Sequence, residues 1–558
     1  MLSLTKMLIG DNYSGDELRY TVNAFSQTDG VAEGRGPVVA WNYTRTCNLH
    51  CRHCYSHSEN RHYENELNTE EALRLIDDLA DFRVPALLFS GGEPLCREDF
   101  PVLAGRAIKR GIRVTLSTNG TLITPELADC IRSLGISYVG ISLDGMPDTN
   151  DRFRGMPGAY ERALNGVRNC RRIGQRVGFR FTLNRNNVDD VPGILDVLER
   201  EDVDRICFYH LVYSGRGSTM QKEDLSPQQT RDVLDLIIDR TLDFHRRGLK
   251  KEVLMVDNHA DGPYLCLKFR ESDPERCATI YRLLRRNGGN RSGMAFANID
   301  AEGNVHPDQF TQQHTLGNVR ERPFSEIWTD RSIPLLAGLK DRQSLLPETC
   351  RNCSWLSVCN GNFRSRAEAV SGDFWGFDPA CYLTEEERRL PRPGTALIPS
   401  RMREVDNTDR ALLNLLQEGI PLTEEPYRDL GEQLGGLSAQ EVIARITRLM
   451  EDGWIRRFSG FFHAAPLGYH SLLCAMHVPE EHVEEMANLI STIPGITHNY
   501  LRDHTLNMWF TLSCRRQEDL DRVIGQLESS GLTDRVYRFE RLRQFKIHAA
   551  FDVREERP

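Results

Sequence analysis

The chain has 558 residues, of which 40% are hydrophobic and 27% charged, and a formal net charge of −10. At roughly 100–200 residues per domain this length exceeds one hydrophobic core, and the composition excludes disordered and collagen-like classes. The negative balance excludes a global attraction to nucleic acid or anionic membrane, so an anionic ligand must meet particular arginines. Residues 1–37 form an N-terminal extension whose apolar stretch is too short and interrupted for a signal peptide. No later window reaches the roughly 20 apolar residues of a membrane span. A cytoplasmic chain is expected, and in a reducing compartment fifteen cysteines are not a disulfide framework.

From residue 38 to about 215, the short β-rich runs VVAWNYT, ALLFSGGE, RVTLSTNG, YVGISLDG, VGFRFTLN and RICFYHLVY alternate with helical patterns such as TEEALRLIDDLADF, TPELADCIRSLG and AYERALNGVRNCRRIG. That rhythm predicts a parallel α/β sheet. Six units fit an incomplete (β/α)6 barrel better than a closed eightfold one, with working groups at the C-terminal ends of strands. The barrel core is read as 38–225, followed by a mainly helical segment at 226–298 and a loop-rich, cysteine-bearing segment at 299–387. A proline-rich linker at 388–405 leads to a helix-turn-helix-like unit at 406–465 and an αβ unit at 466–558.

Cys47, Cys51 and Cys54 follow directly on the first strand, spaced x3 and x2. Soft thiolates select iron–sulfur clusters or zinc; three ligands on a cubane leave one iron open, whereas a closed zinc site needs a fourth. The spacing resembles the radical SAM family, in which the open iron chelates S-adenosylmethionine before its reductive cleavage to a 5′-deoxyadenosyl radical. Ser90-Gly91-Gly92-Glu93-Pro94 is similar to the family's GGE motif, and the segments ending at Ser117-Thr118-Asn119 and Ser142-Leu143-Asp144 are similar to its ribose-side segments. The resemblance implies cofactor contacts from Tyr55, Gly91, Gly92, Glu93, Ser117, Asn119, Ser142 and Asp144. His53 stands where many members carry an aromatic residue, which leaves the adenine contact to Tyr55. An electron donor such as flavodoxin or ferredoxin is implied as well. Cys96, Cys130, Cys170 and Cys207 lie in regular patterns and read as small buried hydrophobes.

Cys350, Cys353, Cys359 and Cys381 supply four thiolates, spaced x2, x5 and x21, in a loop-rich segment. Four ligands close a site, with zinc as the alternative metal. The set resembles the outer auxiliary cluster of the SPASM extension and implies a second 4Fe–4S cluster. Asp308 and Phe363 stand where cysteines of the inner cluster belong. A closed cluster cannot bind S-adenosylmethionine, so it would exchange electrons with the substrate or shape its pocket. Cys266 and Cys277 are further candidate ligands, with a structural role preferred.

The strings PVVAWNYTRTCNLHCRHCY, CFYHLVYSGRGS, DNHADGPY, LGNVRERPFSEIW and RAEAVSGDFWGFDPACYLTEEE resemble the tetrapyrrole-modifying radical SAM enzymes that act on didecarboxysiroheme, across nearly all of residues 1–390. Two activities belong to that group: removal of acetates to give iron-coproporphyrin, which is preferred, and removal of propionates toward haem d1. A peptide-modifying SPASM enzyme is disfavoured, because no peptide-recognition domain precedes the barrel. A flat, carboxylated macrocycle needs guanidinium forks and aromatic walls. His210, Tyr213, Arg216, His259 and Asp261 lie in the shared strings and are the substrate-binding candidates, a structural role being the alternative for each.

Beyond the linker, three helical patterns and an αβ half have the look of an Lrp/AsnC regulator. The helical unit carries Asp406, Asp409, Glu418, Glu424, Glu425, Asp429, Glu432 and Glu441, which disfavours contact with phosphates, so no DNA partner is expected. A DNA-binding iron–sulfur or haem sensor remains the reading from another class. IRRFSGFFH and HNYLRDHTLNMWFTL resemble siroheme decarboxylase subunits, which share this architecture. That resemblance implies Arg457 and Arg502 as carboxylate holders, His498 and His504 as acids near neutral pH, and Tyr500, Asn507 and Trp509 as pocket residues. Leu506 replaces an expected tyrosine. The chain holds one subunit's worth of an enzyme built from two, so a second siroheme decarboxylase subunit or self-association is implied, with siroheme or didecarboxysiroheme passing between the sites.

Overall fold

A computed structural model describes residues 1–20, 29–32, 34–390, 405–451, 454–455, 466, 468–491, 493 and 495–539. The chain divides into two compact units, 1–398 and 399–558. Arg457, most of the linker and the terminal FKIHAAFDV lie outside the described residues.

The described strands are β1 Leu2–Ser3, β2 Val38–Thr44, β3 Ala86–Gly91, β4 Arg113–Thr118, β5 Tyr138–Ser142, β6 Val177–Leu183, β7 Arg205–His210, β8 Glu252–Val256, β9 Phe296–Ile299, β10 Asn304–His306, β11 Gly317–Asn318, β12 His470–Met476, β13 Ile496–Leu501, β14 Met508–Cys514 and β15 Val536–Phe539. In the first unit the described strands form one eleven-stranded sheet, ordered β1-β8-β7-β6-β5-β4-β3-β2-β9-β10-β11. Strands β2 to β9 run parallel. All six expected strands are present. The segment expected to be helical differs, because it contributes β8 and carries β9 at its end. The five residues of β8 are buried on both faces, and the four apolar residues that follow Glu252 have no period to separate strand from helix.

Side chains alternate across the sheet. Trp41, Tyr43 and Phe89 pack against one another on the helix side at ring distances of 5.2–5.5 Å, with Val114, Leu116, Val139, Ile141, Phe179 and Phe181 in the same core. The opposite face presents Arg113, Thr115, Ser117, Tyr138, Arg180, Arg205, Cys207 and Tyr209, which line one cavity together with Val38, Leu254 and Phe296. Residues from β2 to β9 share that cavity only because the sheet curls around it, so its interior is an open space of mixed apolar and charged lining and not packed core. Helices between the strands are fixed by ordinary end signals. Asn68 makes a capping box with Glu71 at the start of Thr69–Asp81, and Thr124 with Pro125 starts Pro125–Leu134, which ends on left-handed Gly135. The N-terminal extension pairs β1 with β8, and Met1 reaches the interior cavity.

In the second unit, helices Asn407–Glu418, Pro426–Gln433 and Ala439–Glu451 close around Leu412, Leu430, Val442 and Leu449. The described strands of this unit form an antiparallel sheet ordered β13-β14-β12-β15. Helices Val483–Ser491 and Gln517–Glu528 share a core with one face, through Met476, Met508, Phe510, Leu512, Ile490 and Ile524.

Candidate active site

The loop after β2 carries Cys47, Cys51 and Cys54, the first two buried and the third half-buried. Arg216 fixes this loop: its Nε donates to Cys51 O at 2.8 Å and its Nη1 to Ser58 O at 2.9 Å, while its backbone N–H donates to Cys54 O at 2.9 Å. Arg216 therefore braces the cysteine loop, and its Nη2 is left buried without a hydrogen-bond partner. Burial pushes the Cys47 and Cys51 thiols up, so by themselves they are not thiolates; a bound metal cluster would reverse that balance. Arg154 Nη1 lies 3.6 Å from Cys51 Sγ, and Arg154 also pairs with Asp144.

The three cysteines line one cavity with Tyr55, Gly91, Gly92, Ser117, Asn119 and Ser142, which brings together most of the expected cofactor contacts. The Tyr55 hydroxyl donates to Asn42 Oδ1 at 3.0 Å, and its ring meets Phe310 edge-on at 5.2 Å. His53 stacks on Phe153 at 4.6 Å, and burial holds it down at about 4, hence neutral. Gly91 adopts φ +128°, and a Cβ there would meet Thr44 O at 2.3 Å; one on Gly92 would meet Thr46 O at the same distance. These glycines let β3 end hard against the strand that delivers Cys47.

Glu93 and Asp144 stand behind the cavity. Glu93 is buried and accepts from Thr118 Oγ1 at 2.6 Å and from Asn119 N at 2.7 Å, tying β3 to β4. Asp144, equally buried, accepts from Thr182 N at 2.6 Å and pairs with Arg154. Both are positioning groups where cofactor contact was expected. Arg154 lines the cavity itself, and sequence reading missed it because no spacing links it to the cysteines.

Among the substrate candidates, His210 lines this cavity and His259 the interior one. His210 Nε2 is 2.9 Å from Asp261 Oδ2, and Tyr382 OH donates to Asp261 Oδ1 at 2.8 Å. Asp261 is fully buried and engaged at both oxygens, so it orients His210. Tyr213 donates to Asp224 at 2.6 Å and is likewise structural. His259 has a buried Nδ1 without a partner, and burial pushes it well below its ordinary value.

Cys350, Cys353, Cys359 and Cys381 are grouped, for the half-buried Cys359 thiol is raised first by desolvation and then by the other three. Burial likewise pushes Cys381 up to about 12. Tyr382, next in sequence, joins this group to Asp261 and His210. Asp308 is buried and accepts from Phe310 N at 2.9 Å, and Phe363 packs edge-on against Phe310 at 5.6 Å; both line the interior cavity. Cys266 and Cys277 lie 2.8 Å apart, sulfur to sulfur, buried in the helical core. Among the described residues, no three His, Cys, Asp or Glu side chains form a set that could hold a single metal ion.

In the second unit the hairpin between β13 and β14 gathers Tyr500, Arg502, His504 and Trp509. Arg502 lies over the Trp509 ring at 5.8 Å and the Tyr500 ring at 5.9 Å, and His504 meets Trp509 edge-on at 6.2 Å. His498 shares strand β13 with Tyr500. Asn507 does not join the pocket: its amide exchanges hydrogen bonds with the Val478 backbone at 2.7 and 2.8 Å and pins the hairpin.

The Radical SAM superfamily profile matches residues 41–198 and the SPASM iron-sulfur cluster-binding domain 292–354. The siroheme decarboxylase NirDL-like HTH domain matches 409–456 and the AsnC-like ligand binding domain 466–546. Over 393 residues the chain is 52% identical to Fe-coproporphyrin III synthase of Methanosarcina barkeri, covering 69% of this chain and 98% of that one. The chain belongs to the radical SAM haem synthase family. It is an enzyme, and its radical SAM and SPASM regions bring 4Fe–4S clusters and S-adenosylmethionine in place of zinc. It is also 44% identical to pre-heme d1 synthase of Dinoroseobacter shibae, over 63% of this chain and 87% of that one. Its C-terminal part is 44% identical to the siroheme decarboxylase NirG subunit of Paracoccus pantotrophus, over 26% of this chain and 90% of the subunit. A crystal structure of Streptococcus suis SuiB bound to S-adenosylmethionine shares the fold, with a TM-score of 0.51 at 18% identity over 63% of this chain and 78% of that one. Among the described residues no helix is long and apolar enough to cross a membrane.

Proposed function

We propose that the N-terminal unit removes the acetate side chains of didecarboxysiroheme to give iron-coproporphyrin. Cys47, Cys51 and Cys54 hold the cluster that binds S-adenosylmethionine, and Cys350, Cys353, Cys359 and Cys381 hold the second. The observation that carries this reading is the continuity of two cavities: Ser117, Arg180, Tyr209, Asp257 and Gln309 line both the cysteine cavity and the arginine-rich interior. A carboxylated ligand in the second cavity would therefore lie beside the cosubstrate site in the first.

When bound at Cys47, Cys51 and Cys54, the cluster with S-adenosylmethionine would supply hydrogen-atom abstraction chemistry, given an electron from a flavodoxin- or ferredoxin-type donor. The protein's own residues do the rest. Arg154 offers the cosubstrate carboxylate a guanidinium beside Cys51. Neutral His53 and the Tyr55–Phe310 pair give the adenine side an uncharged wall, while Asp144, Glu93 and Arg216 hold the loops that carry these groups. Acetate is preferred to propionate because identity is higher to the relative named for coproporphyrin than to the one named for pre-haem d1. Anaerobic turnover of didecarboxysiroheme, read by mass spectrometry of the macrocycle, decides between them; loss of propionates overturns the acetate assignment.

We infer that the C-terminal unit is one half of a siroheme decarboxylase, completed by a second copy or a related subunit, and that it prepares the substrate for the barrel. The grouping of Arg502, Tyr500, His504 and Trp509 supports this reading, as does the fate of the basic groups on helix Ala439–Glu451. Arg445 pairs with Asp406 and Asp409 at 2.8 and 2.7 Å, and Arg448 with Asp409, which leaves them poorly placed for DNA phosphates. A full chain with Cys47, Cys51 and Cys54 replaced by Ala should still release carbon dioxide from siroheme; none from that chain or the wild type, with or without a partner subunit, overturns it.

A further inference from the structure

Arg180 differs from Arg19, Arg113 and Arg205, which line the same interior. Arg113 pairs with Glu17 at 2.8 Å, Arg205 with Glu252 at 2.5 Å, and Arg19 with Asp16 and Glu252 at 2.9 and 2.8 Å. Arg180 has no such counter-ion. Its Nη1 donates to Ser117 Oγ at 2.8 Å and its guanidinium lies over the Tyr209 ring at 4.6 Å; among the described residues no carboxylate stands within ion-pair distance of it.

The surrounding strands make room for this side chain. Residue 140 on β5 is glycine, and a Cβ there would stand 3.0 Å from Arg180 Cδ. Arg180, Ser117 and Tyr209 all face both cavities, so the guanidinium sits at the neck joining them. A half-buried guanidinium held in fixed geometry without a carboxylate is a site for an anion. Asp257, the acidic group at the same neck, has no hydrogen-bond partner at Oδ2; it feels the Arg180 charge but is not within ion-pair distance of it.

We propose that Arg180 binds the carboxylate of the tetrapyrrole acetate to be removed, holding that side chain at the neck while Ser117 and Tyr209 fix the guanidinium plane. This rests on the function proposed above and adds the residue that selects the reacting side chain. The cosubstrate carries a carboxylate too, but Arg154 stands nearer the cysteines, 3.6 Å from Cys51 Sγ. The two sources are separable by measurement.

The test uses the full reconstituted chain under anaerobic conditions, with Arg180→Gln and Arg180→Lys. Didecarboxysiroheme and iron-coproporphyrin, which lacks the acetates, are titrated by macrocycle absorbance, and S-adenosylmethionine by equilibrium dialysis. R180Q is expected to weaken didecarboxysiroheme binding about 10- to 100-fold, the range of a lost charge-assisted pair, and R180K to recover part of it. S-adenosylmethionine binding and iron content should not change. In the wild type iron-coproporphyrin should bind more weakly than didecarboxysiroheme, and in R180Q the two should bind alike. Unchanged didecarboxysiroheme binding by R180Q, or a loss confined to S-adenosylmethionine, overturns the anchor while leaving the function standing. Equal binding of the two macrocycles by the wild type also overturns it, and needs no variant to fold. A wild type that binds neither macrocycle overturns the function and the anchor together.

Discussion

Gly92→Ala tests whether the glycines after β3 are needed for packing. The backbone at Gly92 lies outside the left-handed region, so alanine there suffers no conformational penalty and the effect is one of contact alone. The added Cβ would stand 2.3 Å from Thr46 O and 2.7 Å from Arg45 O, whereas such contacts essentially never fall below 3.0 Å. At least 0.7 Å must therefore open between the end of β3 and the segment that leads into Cys47 (3.0 minus 2.3). That opening pulls on two backbone hydrogen bonds, Gly92 N to Thr44 O at 2.7 Å and Glu93 N to Thr46 O at 2.8 Å. Overpacking of this kind costs about 1–3 kcal/mol, and one weakened hydrogen bond adds about 1. A shift approaching 1 Å at a reacting centre costs roughly 100-fold in rate. The variant should therefore lose about 2–4 kcal/mol in anaerobic denaturant titration and cleave S-adenosylmethionine roughly 10- to 100-fold more slowly. Wild-type stability and wild-type cleavage would refute the packing argument.

Arg366 is fully buried and donates to both oxygens of Asp378 at 3.0 Å and to the carbonyls of Leu211 and Asp257. Arg366→Met leaves Asp378 charged and buried, a loss of about 3–5 kcal/mol, and should cost the neighbouring second cluster; iron per chain falling by about half checks this. Burial holds Asp257 at about 6 in place of 3.8, so the stability of its neutral form is complete below pH 3.8 and is lost as pH rises through 6, about 3 kcal/mol in all. Asp257→Asn should then be more stable than wild type at pH 8 and lose that margin at pH 4; a margin independent of pH is the contrary result in denaturant titrations. Asp409, buried beside the partly exposed Arg445 and Arg448, should cost about 1–3 kcal/mol when replaced by Ala, seen as early unfolding of the C-terminal unit. Wild-type chain should not retard DNA at physiological salt, as judged by gel shift.

The sequence revealed what has a local signature. The two cysteine sets carry their meaning in their spacing, and six strands showed through alternation between helices. Strand β8 did not, because Glu252–Val256 is too short and too uniformly buried to show a period. Arg113, Arg180 and Arg205 each read as a lone basic residue between apolar neighbours; only the curling of the sheet brings them around one cavity. The alternation in RVTLST, VGFRFTL and RICFYH was the available signal, since a charge at an inward position of a parallel strand marks polar interior space. The protein partners of Arg216, Asp261 and Asn507 were not legible for another reason: they are backbone carbonyls, His210 and Tyr382, and the Val478 backbone, and only coordinates reveal such partners.

The central claim is that a radical made at the N-terminal cysteine loop acts directly on a tetrapyrrole held in the barrel. The most direct measurement is the anaerobic yield of 5′-deoxyadenosine with didecarboxysiroheme as sole substrate, compared between the wild type and Cys51→Ala. The account predicts that the wild type forms 5′-deoxyadenosine in step with macrocycle conversion and that the variant forms none. Macrocycle conversion without 5′-deoxyadenosine, or equal yields from both proteins, would contradict it.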